Sequence, residues 1–414
     1  MKIAEQTLKD QLELKELELN SLLEITQSVN NNLPEDSLYK IYNFTLRANL
    51  NIRKLALYVK DDVWSCKVNF GTRIDFKKVQ LNAMFLDYKD ISTLRDCDQC
   101  APFDEFDTII PVAHKDNMLA FVLVSGFNEG AFESQYGSTN LNFLQALTNI
   151  IIVAIENKKL VRRQLIQEGY RKELEIARQV QTFLFPKTLP STDTLKVEAS
   201  YLPHHQVSGD YYDYIAIDDS KFLVCVADVS GKGVPAAILM SNFQASLRIL
   251  IRQTTDLVKI INELNFQILK NANGENFITF FVAIFNKKER TLTYVNGGHN
   301  PPILIDNKEK SLQLLEKGTT ILGIFHPLPF LHVGEVKDLS DFLFFAYTDG
   351  LTETHNDKEE EFSVEKIKEI LVDSKEQNLK AIHKKILTAL DIHKGKNVYT
   401  DDITMLSCKV DMSA

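Results

Sequence analysis

The chain has 414 residues, with 47 Lys and Arg against 56 Asp and Glu and a formal charge of −9 at pH 7; at roughly 100–200 residues per domain this is room for about two to four domains. The acidic balance argues against a general nucleic-acid binder, which needs a basic face toward phosphate, and a composition of 44% hydrophobic and 25% charged residues with 16 Gly and 11 Pro argues against collagen-like and disordered classes. Five cysteines, few for the length and odd in number, argue against a disulfide-built secreted scaffold and for a reducing compartment.

Residues 1–30 are rich in Leu, Glu, Lys and Gln without Gly or Pro, and predict a helix. A four-three spacing picks out Leu8, Leu12, Lys15, Leu19, Leu22, Thr26 and Val29, which reads either as a dimer-forming seam or as the packed face of an amphipathic helix. The opening MKIAEQTLKD carries acids and no apolar run, so no secretory signal is expected there. Residues 38–50 read as an amphipathic helix, and 54–60, 64–70, 108–113 and 118–124 as strands. Helical pattern returns over 139–160. The apolar stretch near 150–155 is bounded by Asn149 and by Glu156, Lys158 and Lys159, too short for a membrane span. A helix-flanked antiparallel sheet in this order resembles a GAF-type sensor domain, over roughly residues 20–160.

A long helix is expected from 142 to 185, ended by Pro186 and Pro190. Its heptad-like positions are Leu160, Arg163, Gln167, Tyr170, Leu174, Ala177, Gln181 and Leu184, a polar-interrupted seam suited to a connecting segment. Beyond it, strand patterns fall at 196–201, 212–217, 222–228, 277–285, 291–296, 302–305 and 342–347, and helical patterns at 235–252, 255–270, 364–372 and 378–390. Strands and helices come in blocks, which predicts an α+β domain and not a doubly wound sheet.

Four short motifs in this second half place an Asp next to an apolar strand-like run: Ser208-Gly209-Asp210-Tyr211-Tyr212-Asp213, Ala227-Asp228-Val229-Ser230-Gly231-Lys232-Gly233, Ala346-Tyr347-Thr348-Asp349-Gly350 and Tyr399-Thr400-Asp401-Asp402-Ile403-Thr404. A lone Asp-Gly is usually a turn. Strand ends converge in a two-sheet fold, however, so four such carboxylates can meet in one place. Carboxylates brought together repel unless a cation neutralises them. Hard divalent cations take oxygen ligands, and two of them about 3.5–4 Å apart activate water and clamp a phosphoryl group.

These motifs, in this order, with Asn276-Phe277-Ile278-Thr279-Phe280-Phe281 and Asn296-Gly297-Gly298-His299-Asn300-Pro301-Pro302 between them and Glu175-Ile176-Ala177-Arg178-Gln179-Val180-Gln181 ahead, closely resemble the SpoIIE/RsbU branch of the PPM-type serine/threonine phosphatases. The resemblance covers roughly 170–410 and implies an αββα sandwich with two Mn²⁺ or Mg²⁺ ions between the sheets. Carried over by position, Asp228 matches the carboxylate that bridges the two metals and Val229 the neighbouring main-chain carbonyl ligand. Asp349 and Asp401 match carboxylates that complete one metal's shell, and Asp210 the acid that acts near or through metal-bound water. Gly231 and Gly233 are expected to shape the turn beneath the site. Two departures are Ser208, where Gly is common, and Lys232, where His is common; Lys232 is expected to be a solvated loop lysine.

The resemblance implies a cytoplasmic signalling phosphatase acting on phosphoserine or phosphothreonine of a regulatory protein, of the STAS-domain anti-sigma-factor-antagonist type. The expected layout is an N-terminal helix (1–30), a GAF-like sensor (31–160) with small-molecule or protein input, a connecting helix (161–190) and the phosphatase domain (191–414), joined as a homodimer through the helical segments. The alternative is a catalytically silent phosphatase-like scaffold. Ser230-Gly231-Lys232-Gly233 lacks the upstream Gly and the terminal Ser/Thr of a phosphate-binding loop. Cys97 and Cys100 form a single CxxC without a second pair, which favours plain thiols over zinc. His299 is expected to order its loop.

Overall fold

A computed structural model of the chain describes residues 2–49, 52–81, 83–94, 101–114, 117–125, 137–204, 206–272, 274–374 and 378–412. Two compact units divide within a long helix, Met1–Glu168 and Gly169–Ala414.

The first unit comprises α1 (Lys2–Asn30), α2 (Glu35–Asn49), β1 (Lys54–Lys60), β2 (Trp64–Phe70), β3 (Ser92–Thr93), β4 (Thr108–His114), β5 (Asn117–Ser125) and the start of α3 (Gly137–Thr182). Its sheet has the order β2-β1-β5-β4-β3 and is antiparallel throughout. Alternation along β1 sends Leu55, Leu57 and Val59 into a core shared with Tyr42, Leu46, Leu144 and Ile151 of the helices. Ala56 and Tyr58 point the other way, into a cluster with Phe76, Phe85, Phe103 and Phe121. The buried face of α1 differs from the seam read from its leucines. Glu18, Ser21, Ile25 and Ser28 are buried, while Leu12 and Leu19 are 61% and 66% exposed. Contact with α2 selects a stripe beside the leucine one, and Leu22 and Val29 take part only at its margin.

On α3 the side chains from 175 to 180 are exposed. Leu160, Val161, Leu165, Ile166, Tyr170, Ile176 and Val180 are each half or more exposed. The second unit continues with β6 (Leu195–Leu202), β7 (Tyr211–Ala216), β8 (Lys221–Val229), α4 (Val234–Gln253), α5 (Leu257–Ala272), β9 (Ile278–Asn286), β10 (Thr291–Gly297), β11 (Ile303–Asp306), β12 (Ser311–Leu314), β13 (Gly318–Thr319), β14 (Gly334–Val336), β15 (Asp341–Tyr347), α6 (Asp349–Thr352), α7 (Val364–Asp373), α8 (Leu379–Lys394) and β16 (Ile403–Asp411).

Two sheets, β13-β10-β9-β8-β7 with β14 beside β10, and β12-β11-β15-β16-β6, make the middle of this unit. Phe222, Val226, Phe281, Phe285, Phe342, Phe344, Leu406 and Val410 fill the space between them. On the outer face of the first sheet, Met240, Phe243 and Leu247 of α4 and Ile260 and Leu264 of α5 bury their three-four stripes. Ile367 and Leu371 of α7 and Ile382 and Ile386 of α8 do the same on the second. The side chain of Asn378 caps α8, accepting from the Ala381 N–H at 2.8 Å. The result is the α+β, αββα sandwich that the motifs implied. Among the described residues α4 is long and apolar enough to cross a membrane by length and composition alone; its apolar side packs on the sheet.

Strand β16 was not anticipated as a strand. It lies between β15 and β6 with both faces covered, so its run Ile403-Thr404-Met405-Leu406-Ser407-Cys408 carries no apolar-polar alternation to read.

Candidate active site

Register brings the first two acids together. Tyr211 of β7 lies opposite Ala227 of β8, so the next positions outward, Asp210 and Asp228, sit side by side at the end of the first sheet. The second sheet supplies the others from the same kind of position. Tyr347 of β15 pairs with Met405 of β16, Asp349 opens α6 just beyond β15, and Asp401 lies just before β16. The sheets are stitched across this end. Thr348 Oγ1 donates to Asp210 Oδ2 at 2.9 Å, and Thr404 Oγ1 donates to the same oxygen. The Thr404 N–H donates back to Thr348 Oγ1 at 2.9 Å.

The charges at this end are poorly compensated. Asp210, 2% exposed, is held well above the usual carboxylate range by burial and then by the charge of Asp228, against the two threonine hydroxyls that favour its ionised form. Burial, then Asp349 and Asp401, raise Asp228 from 3.8 to about 7, with a hydrogen bond from Asp210 pulling the other way. Asp349 is raised by burial and then by Asp401. Asp210, Asp228, Asp349 and Asp401 therefore share one electrostatic neighbourhood. Val229, 1% exposed, follows Asp228 into the core, and its carbonyl oxygen lies 2.8 Å from where a Cβ on Gly209 would stand.

The turn after β8 is built for a close approach. Gly231 and Gly233 have φ of 90° and 73°, the left-handed region that other residues enter only under strain. Ser230 Oγ accepts from the Phe277 N–H at 2.8 Å, and Asn276 Nδ2 donates to the Ser230 carbonyl at 2.9 Å. Lys232 is exposed, as read from sequence, and is engaged as well. Its ammonium lies 2.7 Å from Asp401 Oδ2 and donates to the Thr400 carbonyl at 2.8 Å. The charge of Asp401 draws it there, which local sequence could not reveal. A surface groove beside it is lined by Leu174, His204, Gln206 and Val207.

His299 orders its loop, as expected. Its N–H donates to Asn296 Oδ1 at 2.7 Å, its carbonyl accepts from Asn296 Nδ2 at 2.9 Å, and its ring Nδ1 lies 2.9 Å from Thr279 Oγ1. Thr279 is the β9 partner of Asp228. Thr348, Thr404 and Asp402, whose Oδ1 accepts from the His204 N–H at 2.6 Å, were inside the quoted motifs but had no assigned role. Their part depends on cross-sheet contacts that spacing does not encode. Cys97 and Cys100 lie outside the described residues.

Among the described residues no three His, Cys, Asp or Glu side chains are drawn into a closed ligand set. The donor chemistry nevertheless fits a hard divalent cation: the convergent groups are carboxylates, their mutual repulsion raises Asp228 and Asp349, and the ion pairs among them include a single cation, Lys232. Asp210, Asp228, Asp349 and Asp401 are the carboxylates that act on one another at this end of the sandwich.

An αββα sandwich with acids from both sheets at one end defines a protein phosphatase domain of the PPM class, the class of metal-dependent serine/threonine phosphatases. The comparisons agree. Residues 218–411 match the sequence model of the family described as Stage II sporulation protein E (SpoIIE), and the chain carries a SpoIIE-family phosphatase domain. It is 29% identical over 244 residues to phosphoserine phosphatase RsbU of Bacillus subtilis, covering 58% of this chain and 71% of RsbU. Phosphoserine phosphatase RsbP of the same organism is 24% identical over 236 residues, 56% of each chain. Among solved structures, the SiaA-PP2C domain of Pseudomonas aeruginosa superposes with a TM-score of 0.53 at 20% identity, over 59% of this chain and 99% of that one.

Proposed function

We propose that the chain hydrolyses phosphoserine or phosphothreonine on a regulatory protein in a partner-switching pathway, with a STAS-domain phosphoprotein as substrate. The carrying observation is the meeting of Asp210, Asp228, Asp349 and Asp401 at one end of the sandwich, with Asp228 raised to about 7 by burial and by its acidic neighbours. Asp228, the Val229 carbonyl, Asp210, Asp349 and Asp401 would hold two Mn²⁺ or Mg²⁺ ions. Bound there, such ions supply an activated water and charge neutralisation for a phosphate ester. The chain's own residues prepare the place: Thr348 and Thr404 aim Asp210, and Gly231 and Gly233 supply the left-handed turn after β8. The groove lined by Leu174, His204 and Gln206 offers a surface for residues flanking the phosphoserine.

The first unit acts in this reading as a GAF-like sensor, in a cytoplasmic protein that pairs as a homodimer through its helices. Support for pairing comes from the exposed Leu165, Ile166, Tyr170 and Val180 of α3 and Leu12 and Leu19 of α1. The test of the activity is hydrolysis of a generic phosphate ester with and without Mn²⁺ by the full chain and by Asp228→Asn. Metal-dependent turnover that the variant loses supports the enzyme. Absence of turnover together with absence of Mn²⁺ binding by calorimetry moves the reading to a silent scaffold.

A further inference from the structure

In the last turn of α3 one side chain departs from the exposed run just before it. Residues 175–180 are exposed, whereas Gln181 is 5% exposed. Sequence spacing placed Gln181 on a seam facing another helix. In the structure its amide grips the main chain of Ser208 from both sides: Nε2 donates to the Ser208 carbonyl at 2.7 Å, and Oε1 accepts from the Ser208 N–H at 3.2 Å.

Ser208 is fully buried, and its Oγ accepts from the Asp210 N–H at 3.0 Å. Between them Gly209 lies so close to β8 that a Cβ there would meet the Val229 carbonyl at 2.8 Å and the Ala236 Cβ at 3.3 Å. The segment 208–210 is thus held against the carbonyl beside Asp228, and Gln181 holds it from behind. The rest of the helix end is fastened too. Gln244 Nε2 donates to the Leu184 carbonyl at 3.2 Å, and the Phe185 ring packs on Tyr201 and Tyr212 at 4.9 and 5.0 Å.

We infer that Gln181 is a positioning residue for the metal-binding acids: it fixes the main chain of 208–210, and through it the carboxyl of Asp210 and the carbonyl of Val229. Ser208 adds a hydroxyl that caps the Asp210 N–H and strengthens this hold. The inference rests on the metal-dependent phosphatase reading. Its consequence is that the last turn of α3 sets metal affinity. At 100° per residue, a turn of this helix by a single residue position carries Gln181 off Ser208.

The experiment is Mn²⁺ titration by calorimetry on the full chain, with Mn²⁺-dependent turnover measured in parallel. The variants are Gln181→Leu, Gln181→Glu, Ser208→Ala and, as a control on the exposed part of the same turn, Gln179→Leu. Groups that orient metal ligands typically cost about 10–100-fold in affinity when removed. Gln181→Leu is expected to weaken Mn²⁺ binding by about tenfold or more, with turnover recovering as Mn²⁺ is raised. Gln181→Glu keeps the acceptor for the Ser208 N–H and loses the donor, so it falls between; Ser208→Ala weakens binding in the same direction; Gln179→Leu stays at the wild-type value. A Gln181→Leu protein that melts earlier but binds Mn²⁺ within about twofold of wild type overturns the inference, because a merely structural contact moves stability alone. If Gln181→Leu fails to fold, Gln181→Glu is judged by the same criterion. A wild-type chain that binds no Mn²⁺ overturns the phosphatase reading and this inference together; a wild type that binds, with every variant unchanged, overturns only this one.

Discussion

Replacing Asp228 by Asn should make the metal-free protein more stable while abolishing its metal response. The carboxyl is raised from 3.8 to about 7 by burial and by the charges of Asp349 and Asp401. A carboxyl raised on folding stabilises the fold while it is protonated, and that stability is lost as pH rises from 3.8 to about 7. At about 1.4 kcal/mol per tenfold the whole loss is about 4 kcal/mol. Asn keeps the shape and carries no charge, so in chelator at pH 8 Asp228→Asn should exceed wild type by an amount of this order. Lowering the pH from 8 to 5 should shrink the gap by about 3 kcal/mol, as the wild-type carboxyl takes up its proton. At about 2–4 °C per kcal/mol for a domain of this size, the pH 8 gap is about 10 °C in melting temperature. Differential scanning fluorimetry in chelator at the two pH values measures it. Adding Mn²⁺ should narrow this gap by about 2.7 kcal/mol at a hundredfold excess over Kd and close it near a thousandfold excess, where binding to the native state stabilises wild type by about 4.1 kcal/mol. A variant that melts at or below wild type at both pH values in chelator would refute the reasoning, because no uncompensated charge would then exist at this end of the sandwich.

Burial holds the imidazoles of His299 and His383 down from 6.5 to about 4, so the stability tied to their neutral forms is complete above pH 6.5 and is lost as pH falls toward 4, by about 3 kcal/mol each. His383→Gln should therefore flatten the acid limb of a urea-midpoint profile; an unchanged limb counts against it. Arg248 makes two hydrogen bonds, at 2.8 and 2.9 Å, to the fully buried Asp213. The guanidinium is partly exposed and Asp213 keeps the Tyr211 hydroxyl and Tyr214 N–H as donors, so Arg248→Met should cost about 1.5–3 kcal/mol by urea denaturation, with much of the loss restored by adding Asp213→Asn, and a loss the second change fails to relieve rejects the pairing argument. Lys232→Met frees Asp401 Oδ2 from an ammonium 2.7 Å away. The pair is partly exposed, so Mn²⁺ affinity should tighten by at most about fivefold; weaker binding would show that Lys232 supports the site and does not compete with it.

Much of this site is written locally. Asp210, Asp228, Asp349 and Asp401 each flank an apolar run, and Gly231 and Gly233 announce a turn that only left-handed backbone makes. The unbroken apolar run Leu55-Ala56-Leu57-Tyr58-Val59 between Lys54 and Lys60 reveals β1, whose one face meets helices and the other an aromatic cluster. The same signal fails for β16, also covered on both faces, because Thr404 and Ser407 interrupt its apolar run. Gln181 shows why helical spacing misleads. Its place among Leu174, Ala177 and Leu184 fits a seam, yet the partner that claims it is the main chain at Ser208.

By itself the sequence determined which chemistry was available: carboxylates next to strands, glycines at the turn, and helices with apolar stripes to cover two sheets. Those are properties of neighbouring residues, set by backbone conformation and side-chain period. Tertiary structure decided the state of that chemistry. Asp228 is raised to about 7 because the fold buries it and then brings Asp349 and Asp401 beside it from the other sheet. Lys232 becomes a counter-ion only because Asp401 stands beside it. Desolvation and Coulomb interaction act through distance in space, and the sandwich alone sets that distance.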